Sequence, residues 1–278
     1  MSLAMDTATD WKPVPGQTGD GSSTVVARTS PMSGAIELVV SDARSAAAVK
    51  PGQFFQIAVD APMTLLRRPY SAAWVDHANG RLGFIFNVVG RGSAWLAARE
   101  PGDVLGLMGP LGRGFDLDGE QRVVCIAGGL GVAVFPGVVA ALAARGRPVT
   151  VLVGARTAAQ LIPAQRFAGA QIRMATDDGS AGHRGSVVEL LPEVSGTEIF
   201  ACGPTPMLQA LIASADRLEI PRSSIQIALE TPMGCGLGTC LGCPTPRQGG
   251  GYLLACQDGP CVRADLLDWD RIKDAFHG

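Results

Sequence analysis

Three cysteines fall within nine residues in MGCGLGTCLGC, residues 233–243, with glycines between them. Thiolates hold zinc or iron–sulfur clusters. In a reducing compartment such a tight group binds metal more readily than it forms disulfides. With Cys256 the spacing is C-x4-C-x2-C-x12-C. Structural zinc favours paired C-x2-C knuckles, whereas an uneven spacing with a distant fourth cysteine is the plant-type pattern of a 2Fe-2S cluster. The predicted ligands are Cys235, Cys240, Cys243 and Cys256. Gly234, Gly236, Gly238 and Gly242 carry no Cβ, so the backbone can curl close and aim N–H groups at sulfur. Cys261 is a rival fourth ligand five residues on, and spacing alone does not choose. A zinc-stabilised, non-enzymatic nucleotide-binding module stays open as a second reading.

A cluster moves single electrons, so other elements must bring it an electron source. Residues 23–117 hold short β-rich runs, STVVART, AIELVV, GQFFQIAV, RLGFIFNVV and DVLGLMGP, with turn residues between them. This predicts a small antiparallel barrel or sandwich. Within it Arg68, Pro69, Tyr70 and Ser71 place an aromatic ring, a hydroxyl and a guanidinium together, a set suited to a flat polar ring system attached to phosphates. Gly90-Arg91-Gly92-Ser93 then feeds a helical run, a second phosphate cue.

From about residue 120 strands and helices alternate, which predicts a doubly wound parallel sheet. Residues 123–144 carry no charge over 22 positions. The glycines of GGLG and Pro136 resolve that run into a strand, a tight turn and an apolar helix rather than a membrane span. Ligands in such a sheet bind at the carboxyl ends of strands. Three segments end there: residues 128–131, residues 176–179, and Cys202-Gly203-Pro204. Val134 stands where a third Gly or Ala would complete a dinucleotide fingerprint, and no acidic residue ends the second strand. A regular Rossmann dehydrogenase is disfavoured.

Composition narrows the partners. The chain has 278 residues, 47% of them hydrophobic, and a formal net charge of −2. That length allows about two domains. No single-sign charge run gives a footprint for nucleic acid or an anionic membrane. The first 23 residues lack the pattern of a signal peptide, so the expected location is cytoplasmic. His77, His183 and His277 are read as surface residues.

Taken in order, R-x-Y-S at 68–71, G-x-x-S at 90–93, the GGLG loop and C-G-P at 202–204 resemble the ferredoxin–NADP reductase superfamily. LLRRPYS, VVGRGS, GPLGRGF, ATDDGSAGHRG, ACGPTPML and ETPMGCGLGTCLGCPTP with ACQDGP resemble, within it, the electron transfer subunits of NAD-dependent dihydroorotate dehydrogenase. The resemblance implies FAD held by Arg68, Pro69, Tyr70 and Ser71, with Ile85, Phe86 and Asn87 along the cofactor and Gly92 and Ser93 at its pyrophosphate. It places NAD at Gly128, Gly129, Gly131, Cys202, Gly203 and Pro204, and prefers Cys256 over Cys261. An Arg is expected near Asn87 in the family; Arg67 or Arg91 would take its place.

The implied fold is a FAD-binding β-barrel (23–118), an α/β nucleotide domain (119–222) and a small 2Fe-2S module (223–278), after a tail at 1–22. The implied partner is an FMN-containing dihydroorotate dehydrogenase catalytic subunit in a heterotetramer. NAD takes two electrons as hydride and a cluster takes one, so FAD must stand between them. A reductase subunit of the same build serving another partner, of sulfhydrogenase or transhydrogenase type, is the alternative.

Overall fold

The computed structural model describes residues 19–194 and 198–272. Seven antiparallel strands form the first sheet: β1 (Gly19–Thr29), β2 (Ala35–Ser41), β3 (Phe54–Ile57), β4 (Arg68–Ser71), β5 (Trp74–Asp76), β6 (Arg81–Asn87) and β7 (Val104–Leu111). Short helices α1 (Ala43–Ala48) and α2 (Arg91–Ala97) lie between them. The strand order is β4-β3-β7-β1-β2-β6-β5, so the two edges are strands consecutive in the chain. Only Ala72 and Ala73 separate them. Ala72 N donates to Gln53 O at 3.1 Å and Ala73 N to Gly83 O at 2.8 Å, which bonds the link to both edges and closes the sheet into a barrel. Phe55, Phe84, Phe86, Leu82, Leu105 and Leu107 fill it. The first strand already begins at Gly19, so residues 19–22 belong to the barrel and not to the expected tail.

The second sheet holds β8 (Val123–Gly128), β9 (Val149–Ala155), β10 (Gln171–Thr176), β11 (His183–Arg184), β12 (Glu198–Cys202) and β13 (Ile225–Ala228), with α3 (Phe135–Ala144) and α4 (Thr205–Arg217) connecting them. A two-stranded ribbon, β14 (Pro244–Pro246) and β15 (Tyr252–Leu254), precedes β16 (Cys261–Arg263). The order is β11-β10-β9-β8-β12-β13-β16; every neighbour pair is parallel except β13 with β16. The chain reverses its winding between β8 and β12, which sets the topological switch point there. Residues 123–144 form a strand, a 3-10 turn and an α-helix as expected, because the glycines and Pro136 break the apolar run. Among the described residues no helix is long and apolar enough to cross a membrane.

The expected boundary at residue 222 falls inside this sheet. Both β13 and β16 lie beyond it, so the cysteine-rich segment leaves the nucleotide sheet after β13 and returns as its antiparallel edge. Between the barrel and the nucleotide sheet lies a charged contact. Glu37 on β2, 3% exposed at its side chain, accepts from Arg166 Nη1 at 2.8 Å and Nη2 at 2.6 Å. Trp74 Nε1 and Thr29 Oγ1 supply the remaining donors at 2.7 and 2.9 Å. Burial pushes the Glu37 carboxyl up, but these bonds overcome it and hold it below the ordinary carboxylate range.

Candidate redox site

The cysteine loop is organised around sulfur. Leu237 N points at Cys235 Sγ at 3.3 Å and Cys240 N at the same sulfur at 3.5 Å. Gly238 N donates to Cys256 Sγ at 3.2 Å, and Cys256 N to Cys243 Sγ at 3.4 Å. Burial pushes the Cys235 thiol up, yet the N–H groups of Cys240 and Leu237 win and bring it down to about 7. Burial, with the Cys243 thiol beside it, pushes Cys256 up to about 12.

The thiols thus fall into two neighbouring pairs, Cys235 with Cys240 and Cys243 with Cys256. Among the described residues no three Cys, His, Asp or Glu side chains converge as ligands of one ion. Two cysteines per iron is the donor set a 2Fe-2S cluster takes, and four thiols with N–H groups aimed at sulfur fit it. Gly236 and Gly238 have φ of 74° and 80°. The positive φ at these positions favours glycine, and a Cβ at Gly238 would also displace the Gln257 side chain. Leu241 adopts φ 54° without being glycine and stands 66% exposed beside exposed Cys240. Cys261 lies elsewhere: it is buried on β16 with Sγ directed at Gly52 O, 3.7 Å away. Both spacing candidates are therefore separated by the fold, and Cys256 stands with the other three.

The loop rests on the barrel. Strand β3 is buried along its whole length, which an antiparallel strand with one wet face would not be. Phe55 and Ile57 point into the barrel, while Phe54 packs with Leu111, Cys243, Ala255 and Cys256. Alternation puts Gln56 on the same outer face as Phe54. In the β3–β4 register Phe54 opposes Ser71 and Gln56 opposes Pro69, and opposed residues share a face. Ser71 and Pro69 are therefore on the side of the sheet that carries the cysteine loop.

Tyr70 and Arg68 take the opposite side of β4. The Tyr70 ring leans on Phe86, centroids 4.9 Å apart. Burial raises the phenol to about 12 against the pull of Arg68, which keeps it a neutral ring. The Arg68 guanidinium lies over the start of α2, where a Cβ at Gly92 would sit 2.5 Å from Arg68 Nε. Strand β5 pairs with β6 only as far as Gly83, so on that side the 84–87 backbone has no sheet partner among the described residues. Arg68, Tyr70, Gly92 and half-buried Asn87 border this opening.

Three expectations change in detail. Ile85 and Phe86 are 4% and 0% exposed, so they offer a cofactor backbone and support rather than side-chain contact. Gly90 caps α2, and Ser93 Oγ is buried, accepting from Val89 N at 2.9 Å and Gly90 N at 3.1 Å, so the hydroxyl shapes the turn. Arg67 Nη1 reaches the Gln56 and Gly106 carbonyls, each at 3.4 Å, while Arg91 is exposed.

At the switch point the predicted glycine loop and C-G-P turn meet. A Cβ at Gly131 would strike the Cys202 carbonyl, and one at Gly128 would strike Met207. Gly129 is exposed with φ 53° and open space where a Cβ would stand. The crevice has room at its mouth and none at its base. Cys202 Sγ lies 3.9 Å from Glu230 Oε1. Burial first, then the Glu230 carboxylate, pushes that thiol well up. Sequence reasoning passed over Glu230, Phe54 and Gln56. The signals were the Glu that opens ETPMGCG and the single polar residue inside the otherwise apolar FFQI.

A family model of the iron–sulfur cluster binding domain of dihydroorotate dehydrogenase B matches residues 230–268. The dihydroorotate dehydrogenase B (NAD(+)) electron transfer subunit of Geobacillus kaustophilus is 38% identical over 225 residues, covering 77% of this chain and 85% of the relative. The chain belongs to this family of electron transfer subunits. Its counterpart in Geobacillus thermodenitrificans is 37% identical over 237 residues, with 82% and 90% covered. Membership makes the chain an NAD-linked oxidoreductase subunit. A solved chain of an NADH-dependent reduced ferredoxin-NADP oxidoreductase, described for flavin-based electron bifurcation, superposes with TM-score 0.80 at 26% identity, covering 91% of each chain. The flavohem-like FAD/NAD binding domain of a Vibrio cholerae nitric oxide dioxygenase shares the fold, with TM-score 0.68 at 22% identity over 77% of this chain and 100% of that one.

Proposed function

We propose that this chain relays electrons from an FMN-containing dihydroorotate dehydrogenase catalytic subunit through a 2Fe-2S cluster and FAD to NAD, in pyrimidine biosynthesis. The observation that carries the reading is the shared face: Ser71 and Pro69 of the flavin strand and the cysteine loop lie on one side of the barrel sheet, joined by Phe54 and Gln56 of β3.

Cys235, Cys240, Cys243 and Cys256 would hold the cluster. Arg68, Tyr70, Ser71 and the 84–87 edge with Gly92 would hold FAD, and the crevice between residues 128–131 and 202–204 would receive NAD. FAD, when bound, exchanges a hydride with a nicotinamide and single electrons with a cluster. The chain's part is to fix their places. Phe54 and Leu111 exclude water between the cysteine loop and the flavin strand, Tyr70 supplies a neutral stacking ring, and Arg68 a fixed cation. The exposed Leu237 and Leu241 beside Cys240 support docking of the catalytic subunit on the cysteine loop, in a cytoplasmic heterotetramer.

Anaerobic co-expression with the catalytic subunit tests this. The expected result is a coloured complex with FMN, FAD and iron in fixed ratio that reduces NAD with dihydroorotate. A colourless chain would sink the cluster and flavin, leaving a zinc module. A coloured chain that ignores the catalytic subunit would favour service to another partner, which the NADH-dependent ferredoxin-NADP oxidoreductase likeness supports.

A further inference from the structure

Gln56 is 0% exposed, and its carboxamide lies across the cysteine loop. Nε2 faces the Gly234 carbonyl at 3.5 Å, and a Cβ at Gly236 would stand 2.8 Å from Gln56 Cγ and 3.1 Å from Nε2. Those two glycines flank Cys235. Oε1 is buried and has no hydrogen-bond partner among the described residues. Packing alone does not call for an amide here. A methionine would fill the same space next to Phe54 and Leu111 without burying an unpaired oxygen, which is costly. The backbone of the same residue opposes Pro69 and accepts from Arg67, so one residue touches the flavin strand with its main chain and the cysteine loop with its side chain.

We infer that Gln56 is a positioning residue for electron transfer. Its amide seats the cysteine loop against the flavin strand by donating to the Gly234 carbonyl, one residue before Cys235. This rests on the cluster reading above. Reduction adds one negative charge at the thiolates, so a donor fixed beside Cys235 favours the reduced state and raises the reduction potential. The effect falls on the cluster, because among the described residues the Gln56 amide bonds to the cysteine loop and not to the flavin strand.

The test is Gln56→Met in the full chain with its catalytic subunit, read by an EPR-monitored redox titration with flavin and iron analysis. The expected result is wild-type FAD and iron content, an unmoved flavin potential, and a cluster reduced about tenfold less readily, a fall of about 59 mV for one electron. Gln56→Asn keeps an amide but draws it back by a methylene, and its cluster potential should fall by less. A loaded Gln56→Met cluster at the wild-type potential would overturn the inference. So would failure of both variants to hold a cluster while FAD is retained, which would make Gln56 a residue of folding alone. Absence of a cluster from the wild-type chain is a separate result that would instead remove the function proposed above.

Discussion

The barrel meets the rest of the chain along two seams that differ in the polar groups they bury. Toward the nucleotide sheet Met32, Ala35, Ala73 and Ile85 share one apolar core with Val132, Val134, Phe135 and Val138, and a buried ionic contact crosses the same seam, Glu37 clasped by Arg166, Trp74 and Thr29. Toward the cysteine loop the contact is apolar, Phe54 and Leu111 against Cys243, Ala255 and Cys256, with one amide across it. Coulomb attraction fades slowly with distance, whereas a packed contact loses a quarter to a half of its strength over a gap of about 0.5–1 Å. The ionic contact therefore tolerates a displacement that the packed contacts do not.

The strongest challenge to this contrast is Cys240→Ser. It should abolish the reduced-cluster EPR signal while flavin content and the ionic seam survive; a normal signal would remove Cys240 from the ligand set. Next in size is Glu37→Ala, which strands three donors. Because Arg166 is 30% exposed, the loss should sit near the low end for a broken buried pair, about 3 kcal/mol in denaturant unfolding. The lowered Glu37 pKa gives the sign of the pH dependence. Its contribution is complete above the ordinary carboxylate value of about 4.3 and disappears as pH falls through the lowered folded value. The difference between wild type and Glu37→Ala should therefore shrink in acid, and a gap that grows there would place the stabilisation elsewhere.

Arg68→Ala should weaken FAD retention about tenfold, in line with one charge-assisted hydrogen bond, as measured by flavin release. Unchanged affinity would move the phosphate contact to Arg91. The smallest effect should follow Arg222→Ala. That residue pairs with Asp216 far from either seam, with both side chains well exposed, so stability should shift by less than about 1 kcal/mol.

Much of the site could be read from the chain because its chemistry is local. Cys235, Cys240 and Cys243 sit within one loop, R-P-Y-S is one strand, and the glycines of 128–131 end another. What escaped depends on which faces meet. Gln56 and Gly234 are 178 positions apart, and no spacing rule joins them. The helix start at Ser93 is legible from its neighbours, but only the folded turn reveals that Val89 and Gly90 bond its hydroxyl. The boundary at 222 failed for a related reason: β16 is three residues long, and pairing with β13 gives it a place in the sheet that its own pattern does not announce.

That short strand bears on aggregation. Residues 225–228, IQIA, are apolar apart from Gln226, and without a neighbour β13 would present open N–H and C=O groups, a template for another chain. β16 covers them and ends at Arg263, a charge that discourages further pairing. The whole cysteine loop lies between the two strands, so the nucleotide sheet owes the protection of its edge to the segment that carries the metal ligands.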